Sequence, residues 1–418
     1  MGKKGLGFGV SYIAEMGIRK TSPSSGPRRG TNQSDIRAHN ERLVLSLLRR
    51  RSGLTKAEIA RLSGLSAQAV SVIMRKLEDD GLLGRGSITR GRIGQPSTPM
   101  TLRADGAFSI GVKIGRRSVE MVLIDFVGNV ISSLKETYRW PMPDAVTRFI
   151  EDGVKTITST LSDQEKRRIA GLGIASPFEL WLWEEDVGAP QGAMDQWRTT
   201  DLIKDLGGHF PFPLFIQNDA TAACGAEFVF GQGQTFQSYL YLFIGFFIGG
   251  GVVLNGSLLS GTTGNAGAIG SFPVRGKDGH RHQLIDVASA STLETHLQRN
   301  NIDPSPLWNL AEGWSAFPDA VEEWIDTIAP PIAEAIVGAC SIIDFPAAII
   351  DGGFPAMIRA RIVEKTNDEI ARLNTKGIIR PQIIEGVVGA QARAIGGACL
   401  PYFDKYILNS SQFSAELS

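Results

Sequence analysis

Between Glu227 and Arg275 the chain carries no Asp, Glu, Lys or Arg, and within that stretch the apolar run YLYLFIGFFIGGGVVL fills residues 239–254. A run so poor in charge is buried, either in lipid or in protein. The triplet Gly249, Gly250 and Gly251 interrupts it, and turn residues follow directly. That pattern suits a pair of buried strands better than a lipid helix of about 20 residues.

Charge divides the chain unevenly. Residues 1–103 hold 19 Lys and Arg against 7 Asp and Glu, a net of +12, and residues 104–418 hold 24 against 36, a net of −12. A basic end joined to an acidic body implies a polyanion as partner of the first part. With 418 residues, 43% of them hydrophobic, the chain has material for two or three separate cores. Its three cysteines, Cys224, Cys340 and Cys399, form no CxxC or CxC spacing, which excludes a disulfide framework or zinc knuckle and fits a reducing compartment. The first 34 residues carry Lys3-Lys4 and Arg28-Arg29 among Gly, Ser and Pro without an apolar signal core. They read as a disordered basic arm, and the expected location is the cytoplasm.

The basic part has helical periodicity. Ile36, Leu43, Val44, Leu47 and Leu48 recur at helix spacing over residues 35–51, and Ser52-Gly53 ends that helix. Thr55 and Glu58 have the capping-box spacing for a short second helix through Ser63. Gly64-Leu65 supplies a turn, and Ser66 is placed to N-cap a third helix reaching to Asp80 or nearby. On this third helix Val70, Ile73, Met74 and Leu77 share one face, and Gln68, Ser71 and Arg75 line the opposite one. The second row has the chemistry of base reading: Gln pairs with adenine, Arg with guanine or phosphate, Ser with either kind of partner. A solvated polar face is the alternative.

The stretch GRGSITRGRIGQPSTPMTL, residues 84–102, reads as a small hairpin, or wing, whose Arg85, Arg90 and Arg92 would lie against phosphates or in a minor groove. An ordinary basic linker would look similar. Residues 35–103 are thus expected to form a winged helix-turn-helix on double-stranded DNA, with Ser66, Gln68, Ser71, Arg75, Arg85, Arg90 and Arg92 at the interface.

Beyond Phe108 the period shortens to that of strands: FSIGVKIG, SVEMVLIDF, then VISSL after the Gly128-Asn129 turn, followed by IAGLGIA, PLFIQ, SYLYLFI, GVVLNG and AAIID. Helical stretches at 318–342 and 388–400 alternate with them, which implies an α/β body.

Five motifs in this body, in order, are IGVKIGRRSVEMVLIDFVGNV, QNDATAACGAEFVFGQG, FIGGGVVLNGSLLSGTTGNAGAIGSFPV, IIDGG and AQARAIGGACL. Together, behind a winged helix, they resemble the ROK family (repressor, open reading frame, kinase) from about residue 35 to near the end of the chain. The resemblance implies an actin-like, ribonuclease H-like and hexokinase-type α/β sugar-kinase fold of two lobes, here residues 104–224 with 385–418, and 225–384.

The resemblance also shows what has changed. Where the family's kinases have an Asp-x-Gly-x-Thr-like hairpin for the metal-bound phosphates, this chain has Lys113, Ile114, Gly115, Arg116 and Arg117. The second phosphate loop, Gly-Thr-Gly-x-Gly-Gly-Gly in the family, reads Gly245-Phe246-Phe247-Ile248-Gly249-Gly250-Gly251. Asn218-Asp219 matches the family's sugar-contacting pair, with Asp219 at the position of the general base; capping of the helix that starts near Ala220 is the alternative role for Asp219. The family's AGEIGH reads Ala266-Gly267-Ala268-Ile269-Gly270-Ser271, and its zinc loop corresponds to RGKDGHRHQLIDVAS, which holds no cysteine.

No metal and no cofactor is therefore expected, His280 and His282 being read as solvated side chains. Asp286 falls near the family's later sugar-contacting Glu, and Gln191 falls in a sugar-facing loop. Trp181 and Trp183 read as packing aromatics of a strand or loop. The expected ligand set is Gln191, Asn218, Asp219 and Asp286, for a small carbohydrate-like effector. The expected function is that of a sequence-specific DNA-binding regulator of carbohydrate-related genes, with repression as the expected sign, acting as a homodimer or tetramer and not as an enzyme. An active ATP-dependent sugar kinase with a DNA-binding appendage and an effector-free regulator are the alternatives.

Overall fold

The computed structural model describes residues 19–20, 33–86, 98–309 and 313–409. Most of the expected disordered arm lies outside the described residues; from it, the strand Arg19–Lys20 pairs with Phe215 and Ile216. The chain divides into two compact units, one of Arg19–Ile216 with Ala394–Ser418 and one containing Gln217–Arg393.

The first unit begins with three helices, α1 (Gln33–Arg50), α2 (Lys56–Ser63) and α3 (Ala67–Asp79). Local chemistry sets their ends. The Thr55 hydroxyl accepts from the Glu58 amide and the Glu58 carboxylate accepts from the Thr55 amide at 2.9 Å, so two otherwise orphaned donors are satisfied reciprocally. Gly64 closes α2 at φ 71°, a left-handed conformation that glycine adopts without a Cβ penalty. The Ser66 hydroxyl accepts from the Ala69 amide and starts α3. Val44, Leu48, Ile59, Val70, Met74 and Leu77 make the buried core. Strands β1 (Leu83–Arg85) and β2 (Met100–Leu102) pair antiparallel as the arms of the expected wing; its tip, with Arg90 and Arg92, lies outside the described residues.

A five-strand set follows: β3 (Phe108–Ile114), β4 (Ser118–Asp125), β5 (Val130–Thr137), β6 (Ile169–Ser176) and β7 (Leu214–Asn218). β4 runs antiparallel to β3 and β5, and β3 runs parallel to β6. The β4–β5 turn forms because the Asp125 carboxylate accepts from the amides of Val127, Gly128 and Asn129. Helix α4 (Pro143–Ile157) buries Val146, Ile150, Val154 and Ile157 in the same core as Met121 and Leu123.

The second unit repeats the plan. It contains α5 (Asp219–Phe230), β8 (Tyr239–Ile244), β9 (Ile248–Leu254), β10 (Ser257–Leu259), the small hairpin of β11 (Pro273–Arg275) and β12 (Arg281–Gln283), α6 (Ala290–Arg299), α7 (Pro318–Cys340), β13 (Ala347–Gly352), α8 (Ala356–Arg372) and β14 (Gln382–Glu385). Its sheet order, β10-β9-β8-β13-β14, matches β5-β4-β3-β6-β7 strand for strand: an antiparallel meander followed by strands added beside its first member. β8 and β9 are the two buried strands expected from the uncharged run. The glycine triplet lies in β9, where a Cβ on Gly249 would come 2.8 Å from Ala220 Cβ and one on Gly251 2.5 Å from Cys224 Cβ, so the bare strand is what seats α5 against it.

Trp181 and Trp183 belong to neither a strand nor an irregular loop. They sit in the 3-10 turn Leu180–Trp183, where Arg198 and Arg116 lie over their ring faces at 5.4 and 4.4 Å.

The last helix, α9 (Ala392–Lys405), rests on the sheet of the first unit through a glycine seam. Cβ atoms on Gly111 or Gly173 would overlap the carbonyl oxygens of Ala394 or Gly397, and one on Gly397 would come 2.7 Å from the Gly173 oxygen. At the far end the Tyr402 hydroxyl donates toward the Asp125 oxygen at 3.0 Å, and the Tyr402 and Tyr406 rings meet Phe126 edge-on. Gly173→Ala is expected to destabilise this unit by about 3 kcal/mol through overpacking against backbone that has no rotamer to give. Denaturant unfolding followed by circular dichroism checks this, and an unchanged midpoint counts against the seam.

Candidate functional site

On the exposed side of α3 the structure brings Gln68, Ser71 and Arg75 into one row, Gln68 and Arg75 exposed and Ser71 half-buried, while Val70, Ile73, Met74 and Leu77 point into the core. Ser66 carries the helix cap at the same end. Val72, 53% exposed, stands within this row, and the polar pattern of the sequence gave no reason to single it out.

The charges around the row are sorted by the fold. Lys76 reaches back to Glu41 of α1 at 2.6 Å, which ties α3 to α1. Arg85 is exposed on β1 but paired with Glu78 at 2.6 Å, so a phosphate would compete with that carboxylate for it. The half-buried Arg49 of α1 lies over the Phe126 ring with its guanidinium carbon 4.9 Å from the centroid, and the Ser46 hydroxyl accepts from the Leu408 amide. The winged helix is thereby fastened to the β4–β5 turn and to the residues after α9.

In the same unit, the first hairpin of the body is filled by its own side chains. Lys113 is 6% exposed and donates to Ser118 Oγ at 3.0 Å and Glu120 Oε1 at 3.2 Å. Its stem packs on Gly115, where a Cβ would strike it. Arg117 donates to the carbonyls of Arg139 and Val187, both at 3.0 Å, and the Tyr138 hydroxyl donates to Gly115 O. Gln191 is exposed in the turn before Met194, whose amide donates to Glu184.

In the second unit, Asn218 and Asp219 begin α5. Asn218 and not Asp219 is the cap, its Oδ1 accepting from the amides of Ala220 at 3.1 Å and Thr221 at 3.2 Å. The capping alternative for Asp219 is corrected accordingly: Asp219 is already the first helical residue, and the amides of Ala220 and Thr221 are taken by Asn218. Asp219 is 9% exposed and pairs instead with Arg393 Nη1 at 3.3 Å, while the Arg393 guanidinium lies 4.9 Å over Phe243. Arg393 is the partner that reading the sequence missed. The one available signal was a lone charge at the head of the otherwise apolar ARAIGGACL.

Loop 245–248 is stitched to the start of α6. The Gly245 and Phe246 carbonyls accept from the Ala290 and Ser291 amides at 3.1 and 3.0 Å, and the Ile248 amide donates to Ser289 Oγ. Phe246 is buried against Trp308, with ring centroids 5.6 Å apart. Asp286 is exposed and accepts from the Gln283 amide at 3.1 Å, a reciprocal cap of the helical turn Leu284–Val287. His282 bonds Asp278, holding that carboxyl below its ordinary range, and among the described residues no group of three or more His, Cys, Asp or Glu is placed to hold a metal.

The IIDGG motif has a structural job. Asp351 accepts from the Gly352 and Gly389 amides and faces Arg359 at 3.2 Å; Glu227 accepts from the amides of Gln232, Val387 and Val388. Both carboxylates are fully buried, and burial pushes both upward from the usual carboxylate range against the opposing pull of these amides.

Comparison with known proteins places these units. The ROK family profile matches residues 109–401, and a winged helix-turn-helix DNA-binding profile matches residues 37–83. The chain is 26% identical to the uncharacterized protein y4fQ of Sinorhizobium fredii over 87% of its own length and 91% of that protein. It is 25% identical to a xylose repressor of Bacillus spizizenii over 58% of its length, spanning 62% of that repressor. A solved ROK family transcriptional regulator, a homolog of the E. coli MLC protein, superposes with a TM-score of 0.64 at 17% identity, over 89% of this chain and 98% of that one, which fixes the fold. The chain is an N-terminal winged helix-turn-helix followed by the actin-like sugar-kinase fold, and it belongs to the ROK family.

Proposed function

We propose that this protein is a sequence-selective, DNA-binding repressor of carbohydrate-related genes whose operator affinity is set by a small carbohydrate-like effector. The observation that carries the reading is the capped, outward-facing α3, with exposed Gln68 and Arg75 and half-buried Ser71 in one row on a winged helix of net positive charge. One such helix covers too little duplex to be selective, and regulators of this kind reach roughly 1,000–2,500 Å² of buried protein surface by reading two half-sites, so the working form is a homodimer or a dimer of dimers. Cytoplasmic location follows from DNA as partner; no described helix is long and apolar enough to cross a membrane.

We read the body as a sensor without kinase activity. A phosphoryl transfer needs a carboxylate for the metal, donors and open backbone for the phosphate oxygens, and an available base. Here Lys113 stands where the family has its carboxylate, Phe246 and Phe247 stand in the second phosphate loop, and Asp219 is paired with Arg393. The retained Asn218-Asp219 and Gly249-Gly250-Gly251 favour the second reading, an active sugar kinase with a DNA-binding appendage. Effector contacts are assigned to Asn218 and Asp219, with Gln191 and Asp286 as further candidates. Since a ligand acts only through its differential affinity for two states, effector binding and DNA release are reciprocally linked.

Gel-shift titrations over a salt series test the DNA reading. Arg75→Ala is expected to lose roughly 1–3 kcal/mol of specific affinity, and Arg92→Ala to weaken binding to all sequences and flatten the salt slope. Glu78→Ala, which releases Arg85, should steepen that slope; unchanged binding in all three variants removes the assigned surface.

For the body, a coupled assay with Mg-ATP and a panel of hexoses, amino sugars and polyols is expected to stay at background. Turnover abolished by Asp219→Asn would instead establish the kinase reading. A thermal-shift screen of carbohydrates should yield a ligand that weakens operator binding in the wild type and fails to do so in Asp219→Ala. Undiminished response in that variant moves the effector site elsewhere.

A further inference from the structure

We infer that Val72 reads a thymine methyl group and is a specificity-determining residue of the recognition helix. The inference rests on the DNA-binding reading above and adds to it a defined base and a defined contact.

Val72 is the most exposed large apolar residue of the described winged helix, at 53%, against 51% for Ile36 at the start of α1 and 41% for Leu62 on α2. A lone apolar residue on a surface ordinarily calls for no explanation. This one stands within the polar row of α3, four residues after Gln68 and three before Arg75, spacings that put all three side chains on one helical face. It lies opposite the core positions Val70, Ile73, Met74 and Leu77, so packing within the winged helix does not require a β-branched residue there, and valine is among the weaker helix formers. What would cover it is set by the company it keeps, an exposed arginine and glutamine on a segment of +12 net charge, and that partner is duplex DNA.

The major groove offers one apolar feature to such a side chain, the C5-methyl of thymine, and small apolar side chains are what recognise it. An α-helix rises about 1.5 Å per residue, so Val72 sits about 6 Å along the axis from Gln68 and about 4.5 Å from Arg75. The thymine is therefore expected within two base-pair steps of the purines that Gln68 and Arg75 face. The stiff two-methyl side chain also excludes water from that spot without competing for base hydrogen bonds.

The test begins with duplexes recovered by full-length wild-type protein from a random-sequence library. Each thymine of the tightest duplex is then replaced singly by deoxyuridine, which deletes the methyl and leaves base pairing unchanged. One thymine per half-site is expected at which this replacement weakens wild-type binding about fourfold, the effect of one buried methyl. Val72→Ala should bind the parent duplex about as weakly as wild type binds the deoxyuridine duplex, and should show no further loss on deoxyuridine. Val72→Thr, which keeps one methyl, should restore the sensitivity. The same deoxyuridine loss in wild type and Val72→Ala, or no sensitive thymine at all, overturns the assignment while leaving DNA binding intact. Recovery of no selective duplex by the wild type removes the DNA-binding reading itself, and this inference with it. Val72 is exposed and alanine is the better helix former, so circular dichroism of Val72→Ala should match the wild type.

Discussion

The close approach of α9 to the sheet of the first unit is the constraint on which the arrangement of that unit depends. Backbone touches backbone where Gly111 and Gly173 meet Ala394 and Gly397, and no side chain larger than hydrogen fits between. Because the helix is held at backbone distance, its later residues arrive in fixed positions. Tyr402 can then place its hydroxyl among the carbonyls of Ala107, Ile124 and Asp125, and its ring against Phe126. Phe126 in turn presents a face to Arg49 of α1, and the residues after α9 return to Ser46. The winged helix is thus attached through a cation over an aromatic face and a hydrogen bond to backbone, both of them contacts with strict geometry. A shift of α9 by the width of one methyl group would be felt at α1.

Removing a cation from water costs several kcal/mol unless a partner takes its place, and the body meets this cost with groups from its own chain. Lys113 has Ser118 and Glu120; Arg117 has two carbonyls; Arg393 has Asp219 and the face of Phe243. Loop 245–248 follows the same principle without charge, its carbonyls taken by the first amides of α6 and its aromatic ring by Trp308. On the proposed reading of the body as a sensor, the loop that would have to admit phosphate oxygens is closed by its own carbonyl and aromatic contacts, whereas a neutral polyol would bring no charge to be matched. Hydroxyl groups both donate and accept, so they suit a capped Asn218 and an ion-paired Asp219 better than a second anion does. The same substitutions that argue against phosphoryl transfer therefore narrow the chemistry of what the body is read to bind.

How far the sequence disclosed this depends on the range over which each cause acts. The capping box of Thr55 and Glu58, the Gly64 stop and the Ser66 cap act over three residues, and each stands where their spacing placed it. The uncharged run yielded its two buried strands because period and composition are local too, and the glycine triplet could be noticed, though its reason, the seating of Ala220 and Cys224, is tertiary. Asn218 and Asp219 are both cap-forming types, and no spacing rule separates neighbours; the end of β7 does, by leaving Asn218 extended while Asp219 is already helical. Arg393 meets Asp219 across 174 residues of sequence, and Glu78 reaches Arg85 only because the chain turns back between α3 and β1. Such pairings leave no periodic trace. Exposure leaves little more: valine at position 72 is compatible with core or surface, and only its place on the same face as Gln68 and Arg75, once the core face of α3 is fixed, turns an unremarked residue into a question about what covers it.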